Sequence, residues 1–421
     1  MQLAKRHAYN ACPVKTRQAP GGERDDQLIN IIILHEKLSQ YKRKLGGIPG
    51  FFGDDRKRKM WYDFCIPFSR EGSDLSVSIK KRNPAMDVIR CFALMSVICV
   101  HYFLNTNYYY RTMEGMELAM LTCIRSFFMI CVPMFLILSG YLMCNKMPEK
   151  SYFPKIARTL GIYVLASLAC AGYKVWRKGA SYTLLTLVKG LTDYSLANYS
   201  WYIEMYIGLF FLIPFLNVMW KNLTDVQRKY LLAVMIGITA APAVVNTWGK
   251  ILPDWWTDLY PVSYYLIGAA LRTWQPKLNK AVNLLAVGAV TLALSYLSWR
   301  RSFGGTFVWG NWQGWHSLLI LANTVLVFIF LEGINWSRLG DGFASVAAKI
   351  SKWSLGAYLV SYIFDQEFYP RLGENLTDPK WALAVVPAVL VCSVALSAVL
   401  NGIYDGIAGL FALLKKKEGA V

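Results

Sequence analysis

The sequence predicts an all-α polytopic membrane protein of about ten transmembrane helices, with both termini cytoplasmic. Three observations predict it. From Ala85 onward the chain is a ladder of apolar runs, and a helix needs about 20 such residues to cross the hydrocarbon layer. Of the 421 residues, 55% are hydrophobic and only 17% charged, against about 25% charged in a soluble domain. There is too little polar surface here to clothe two or three soluble domains. Finally, the basic residues are shared unequally between alternate loops. Nineteen Lys and Arg fall in one set, among them Lys80, Lys146, Arg158, Arg272 and Lys415, and ten in the other. The richer set marks the cytoplasmic side, which places both ends of the chain there.

The runs sit near 85–105, 119–143, 155–176, 201–220, 229–246, 259–272, 281–299, 315–333, 352–368 and 381–411. In lipid each is a helix, because each must satisfy its own backbone groups. The sixth and ninth are short and the last overlong. Residues 1–82 differ. They carry 17 Lys or Arg, nine acidic residues and one apolar patch from Leu28 to Leu34, too short to span a bilayer. They read as a polar, basic, partly disordered cytoplasmic extension, or as the product of an assigned start upstream of Met60 or Met86. A transmembrane domain over 83–414 and a basic cytoplasmic tail over 415–421 complete the expected organisation.

The net charge of +19 would point a soluble protein toward nucleic acid. Here the cations flank apolar runs, so membrane lipids and not nucleic acid are the expected partners. The 15 Trp, 25 Tyr and 21 Phe fit interfacial belts. The nine cysteines include no C-x-x-C pair and read as small buried hydrophobes. No metal site is expected, and no P-loop, H-E-x-x-H or G-x-S-x-G occurs in a fitting context.

Ionisable residues inside the runs are the candidates for chemistry, since each is costly in lipid. Arg90 and His101 lie eleven residues apart. At 100° per residue they point to nearly one side of the helix, about 16 Å apart along its axis. Asp87 sits one turn before Arg90, where the two can pair. The spacing alone leaves two readings open: function, or snorkelling of Arg90 and interfacial bonding of His101. Glu204 in the fourth run is placed to orient His101 or bind an acceptor hydroxyl, or else to pair with Arg125 in the second. Asp365 lies near the outer mouth of the ninth run, and His316 begins the eighth as an interfacial residue. Trp255, Trp256, Trp309 and Trp312 suit interface anchoring or sugar stacking.

The ordered motifs carry a resemblance. Asp87-x-x-Arg90, ten residues, then His101 resembles the opening helix of the acyltransferase-3 family of membrane O-acyltransferases. Val132-Pro133-Met134-Phe135 through Ser139-Gly140-Tyr141-Leu142 is similar to that family's second-span signature. Lys155-Ile156-Ala157-Arg158 is similar to its basic R-x-x-R element, with Lys155 for the first arginine. Trp201-Tyr202, Ile207-Gly208-Leu209 and Pro214 resemble its fourth span. The nearest subgroup is the one containing the enterobacterial common antigen O-acetyltransferase. One departure stands out: Ser361 occupies the place where the family often has a second histidine.

The resemblance implies transfer of an acetyl group from acetyl-CoA to a hydroxyl of a surface polysaccharide or lipid-linked sugar in a bacterial inner membrane. It implies His101 as base with Arg90 beside it, and Glu204 joins them as a catalytic candidate from its place in the fourth run. Arg90, Lys155 and Arg158 would bind the phosphates of the donor, and Arg125, Trp201 and Tyr206 the acceptor. Direct transfer and relay through an acyl-histidine both remain open. A glycolipid or polysaccharide flippase without chemistry is the alternative from another class, and release of free CoA separates the two.

Overall fold

The structure, a computed structural model, describes residues 83–418. The expected extension over 1–82 and residues 419–421 of the expected tail lie outside the described residues. Among the described residues every long element is a helix, and one isolated bridge joins Met113 to Phe303.

Local sequence explains where the helices begin and break. Helix α1 spans Pro84–Leu104. The Asn83 side chain accepts from the Ala85 amide at 3.0 Å, and Pro84 fills a first-turn position that needs no N–H. The run expected over 119–143 forms two helices, α2 (Gly115–Phe128) and α3 (Cys131–Met143), interrupted at Met129 and Ile130. Pro133 has no N–H to offer the Met129 carbonyl and its ring crowds it, so the ladder cannot run through. Helix α4 (Ile156–Lys178) stops at Gly179, whose φ of 64° suits glycine. A short amphipathic helix outside the expected runs, α5 (Leu184–Thr192), starts at a Thr183 cap. Next come α6 (Trp201–Asn222) and α7 (Asp225–Thr239), the latter opened by a reciprocal Thr224–Gln227 cap. The rest are α8 (Tyr260–Trp274), α9 (Lys280–Ser302), α10 (Leu318–Glu332), α11 (Gly340–Phe368) and α12 (Pro379–Glu418).

Among the described residues, ten helical segments therefore match the ten expected runs in order, but only eight are long and apolar enough to cross a membrane by themselves. The two others fail for different reasons. Helix α8 has 15 residues, about 22 Å of rise. Helix α11 has 29 residues but carries Asp341, Lys349, Lys352, Asp365 and Glu367. Both are shielded by protein. Residues from Ser263 to Leu271 of α8 are buried, as are Ser351, Ser354, Ser361 and Asp365 of α11. Helix α11 packs against α1, α4 and α12. The outer helices show the reverse pattern: Leu284, Leu285 and Leu292 of α9 and Val391 of α12 are exposed, as lipid-facing side chains are.

Two glycines set the closest approach. A Cβ on Gly140 of α3 would collide with the Tyr265 carbonyl of α8, and one on Gly268 with the Ile137 carbonyl. Small residues at this crossing let the two backbones touch. Gly140→Leu is expected to destabilise the protein by about 3 kcal/mol through overpacking. It would lower the thermal midpoint in detergent, whereas Gly172→Ala, where a Cβ meets nothing, would leave the midpoint unchanged or raise it slightly.

Candidate functional site

Arg90, Val97 and His101 recur on α1 at spacings of seven and four, so one face of the helix carries all three. Two cavities lie against that face. The first, of about 250 Å³, is lined by Arg90, Arg158, Tyr206, Ser351 and Lys352. The second, of about 240 Å³, is lined by His101, Asn198, Tyr199, Trp201 and Trp315. Val97, Val132 and Tyr358 line both and form the wall between them.

The first cavity is cationic. Arg90 Nη1 donates to Ser351 Oγ at 3.1 Å. Arg158 donates to Asp405 Oδ1 at 2.7 Å and Asn401 Oδ1 at 2.9 Å, and Lys352 donates to Asp405 Oδ2 at 3.2 Å. One carboxylate thus holds two cations, and Arg90 adds a third charge to the lining. Such a cluster suits phosphate oxygens. Lys155 does not line it. That side chain is exposed on the turn Phe153–Lys155, and Lys352 supplies the cation instead.

The second cavity is built around the histidine. His101 is 6% exposed. Its Nδ1 lies 3.3 Å from Ser361 Oγ and 3.6 Å from Asp365 Oδ2. Ser361 gives its own hydrogen to the Tyr358 carbonyl at 2.9 Å. Asp365 Oδ2 accepts the Tyr199 hydroxyl at 2.8 Å. Nδ1 therefore faces only acceptors and carries the ring hydrogen, leaving the lone pair on Nε2. The Tyr199 ring stacks on the imidazole with centroids 3.7 Å apart, and the Tyr358 hydroxyl donates to the Tyr199 carbonyl. A ring clamped on its face and anchored at Nδ1 is oriented as general bases usually are. The other Asp365 oxygen, Oδ1, is buried without a hydrogen-bond partner among the described residues.

The remaining candidates are dispersed. Glu204 is exposed and lines neither cavity; Asp365 is the carboxyl group beside His101. Glu204 and Arg125 form no ion pair among the described residues. Arg125 is 1% exposed and lines neither cavity. Its Nε donates to Tyr109 Oη at 2.9 Å, and its guanidinium lies 4.7 Å from the Phe307 ring centroid and 4.9 Å from that of Trp309. This cage ties α2 to two loops. Trp201 does line the histidine cavity and stacks on Trp315 at 4.7 Å. Tyr206 lines the cationic one. His316 lines neither.

Sequence reading passed over Tyr199 and Lys352 and left Asp365 at the outer mouth. A signal for Asp365 was present: Ser351, Ser354, Tyr358, Ser361 and Asp365 repeat at helical spacing and form one polar face of α11. Tyr199 sits on the irregular segment before α6, where no periodicity announces it.

The acyltransferase-3 family model, described as an acyltransferase domain, matches residues 83–400. Neither a curated protein nor a solved structure matches the chain. The match covers the Arg90–His101 helix, the shared wall and the lining of both cavities except Asn401, and so the chain belongs to the acyltransferase-3 family and is an integral membrane acyltransferase.

Proposed function

We propose that this protein moves an acetyl group from acetyl-CoA to a hydroxyl of a surface polysaccharide or lipid-linked sugar, in a bacterial inner membrane, with His101 as the base. The observation that carries the reading is the shared wall. A cavity lined by three cations abuts, through Val97, Val132 and Tyr358, a cavity that holds an anchored histidine. Donor phosphates would meet Arg90, Arg158 and Lys352 at the cytoplasmic end. The acceptor would enter beside Trp201 and Trp315, whose stacked rings offer a face to a sugar.

In direct transfer, His101 Nε2 takes the proton of the acceptor hydroxyl as its oxygen attacks the thioester carbonyl carbon. The tetrahedral intermediate collapses, the carbon–sulfur bond breaks, and the leaving thiolate takes the proton back from the imidazolium to give CoA. Asp365 and Ser361 hold Nδ1 throughout, so a single histidine suffices and Ser361 need not be a second one. The positive-inside pattern of the loops supports donor entry from the cytoplasm. Membership of the common-antigen O-acetyltransferase subgroup is part of the same proposal and rests on the motif resemblance alone.

Release of CoA from acetyl-CoA, measured with a lipid-linked glycan extract as acceptor, tests this. His101→Ala is expected to lose at least about 10²-fold in turnover, and unchanged release would overturn the assignment. Asp365→Asn is expected to lose about tenfold or more through a misoriented imidazole, while Glu204→Gln stays within about twofold, as exposed surface changes do. In the donor cavity, Arg158→Gln and Lys352→Gln should each raise the KM for acetyl-CoA about tenfold, the worth of one charge-assisted hydrogen bond. Lys155→Ala should leave that KM unchanged.

A further inference from the structure

Helices α4 and α11 carry cations at both ends. Arg158 and Lys352 line the donor cavity. At the far ends, Lys174, Arg177, Lys178 and Arg371 meet in a second patch, and these are four of the ten Lys and Arg outside the basic-rich loop set. Three of them fall within five residues, on the side where loops are otherwise poor in basic residues. Along α4, Lys174 and Lys178 lie about 24 and 30 Å from Arg158. On α11 the order is Lys352, then Ser361 and Asp365 at His101, then Glu367 in the patch.

The charges of the patch do not cancel. Glu367 accepts from Arg177 at 2.7 Å and from Arg371 at 2.8 Å, one carboxylate against two arginines. Lys174 and Lys178, one helical turn apart, form no ion pair among the described residues. Both ammonium groups lie over the Tyr362 ring, 5.5 and 5.2 Å from its centroid. Lys174 donates to the Leu196 carbonyl at 2.9 Å, and Lys178 to Tyr362 Oη at 2.9 Å and Gln366 Oε1 at 2.6 Å. An ammonium has three donors, so both lysines keep N–H groups for a ligand. Two like charges held side by side on neutral oxygens favour an anion with several strong acceptors, such as a phosphate.

The patch adjoins both the histidine cavity and the lipid. Leu196, which Lys174 holds, lies two residues before Asn198 and three before Tyr199, and both of those line the cavity. Tyr362 packs against the Tyr199 ring with centroids 5.9 Å apart. Between Lys174 and Arg177, Val175 and Trp176 are exposed, as are Leu184 and Leu185 at the start of α5. A molecule with an apolar tail, a phosphate and a sugar finds a matching surface for each part. We propose that Lys174 and Lys178 bind the phosphates of a lipid-linked acceptor, a prenyl diphosphate that carries the sugar, at the end of the bundle opposite the donor cavity. The proposal rests on the acetyl-transfer reading for the use of this site, but its first readout needs no turnover.

That readout is the Kd of farnesyl diphosphate, titrated into the protein in phosphatidylcholine nanodiscs. Wild type is expected to bind it and not farnesol, which has the tail without the phosphates. Lys174→Gln and Lys178→Gln should each weaken binding about tenfold, the worth of a charge-assisted hydrogen bond. Lys178 is exposed, so its variant keeps the fold. Arg158→Gln and Lys352→Gln should hold the Kd within about twofold. No binding by wild type, or binding that follows Arg158 and Lys352 instead, would overturn the proposal. In phosphatidylglycerol nanodiscs the tenfold gap between wild type and the lysine variants should persist; its disappearance would mean that the lysines serve anionic headgroups, and would overturn it too.

The second readout is CoA release with the lipid-linked glycan extract. The two lysine variants should raise the KM for the extract about tenfold while the KM for acetyl-CoA stays within about twofold. Lysines that only brace α4 against α11 predict a lower thermal midpoint with the KM for the extract unchanged, which would contradict the site. Lysine-dependent binding of farnesyl diphosphate by a wild type that releases no CoA would uphold the site and sink the acetyl-transfer reading instead.

Discussion

The contact of His101 with Ser361 and Asp365 joins two helices separated by 260 residues in sequence, and much of the bundle is arranged to make that contact affordable. A carboxyl group and an imidazole at this depth have no bulk water to turn to, so each must find its partners in the protein. Tyr199 supplies a donor to the one and a stacking face to the other. Asn105 closes α1 and reaches the same tyrosine. The polar groups therefore form one network, in which loss of a member leaves another buried without a partner, the costly case.

The same constraint explains why α11 does not look like a membrane helix. Its polar face, from Ser351 to Asp365, is matched by α1, while α4 and α12 cover its flanks. Apolar composition is demanded only of helices that meet lipid, and α9 and α12 supply that with their exposed leucines and valines. Close packing at the centre is set by small residues. Gly140 and Gly268 bring α3 and α8 into backbone contact, and Gly356 faces Ser397 across α11 and α12. The valine and tyrosine side chains of the shared wall thus stand on rigid neighbours.

Much of this was legible in the sequence because bilayer length and helical period leave strong marks. The order of ten runs and the face shared by Arg90 and His101 both follow from spacing. What spacing does not carry is pairing between distant segments. Glu204 had the right charge on a helix near the right depth, but it faces outward, and the partner of His101 comes from α11. Lys155 matched a motif position yet lies on an exposed turn, while Lys352, which reads as one more basic loop residue, lines the cationic cavity. Arg125 carries a buried charge, and aromatic rings from two loops enclose it. Tyr199, on an irregular segment, left no periodic trace at all.

If the two cavities divide donor from acceptor, transfer has a direction, and sidedness is its most direct test. The measurement is CoA release from sealed vesicles loaded with the lipid-linked glycan extract, with the protein in one known orientation and acetyl-CoA added only outside. Release should occur when the outer face is the one bearing Arg158 and Lys352, and not when the protein is reversed. Equal release in both orientations would contradict the account, because the donor would then be reaching His101 without passing the cations.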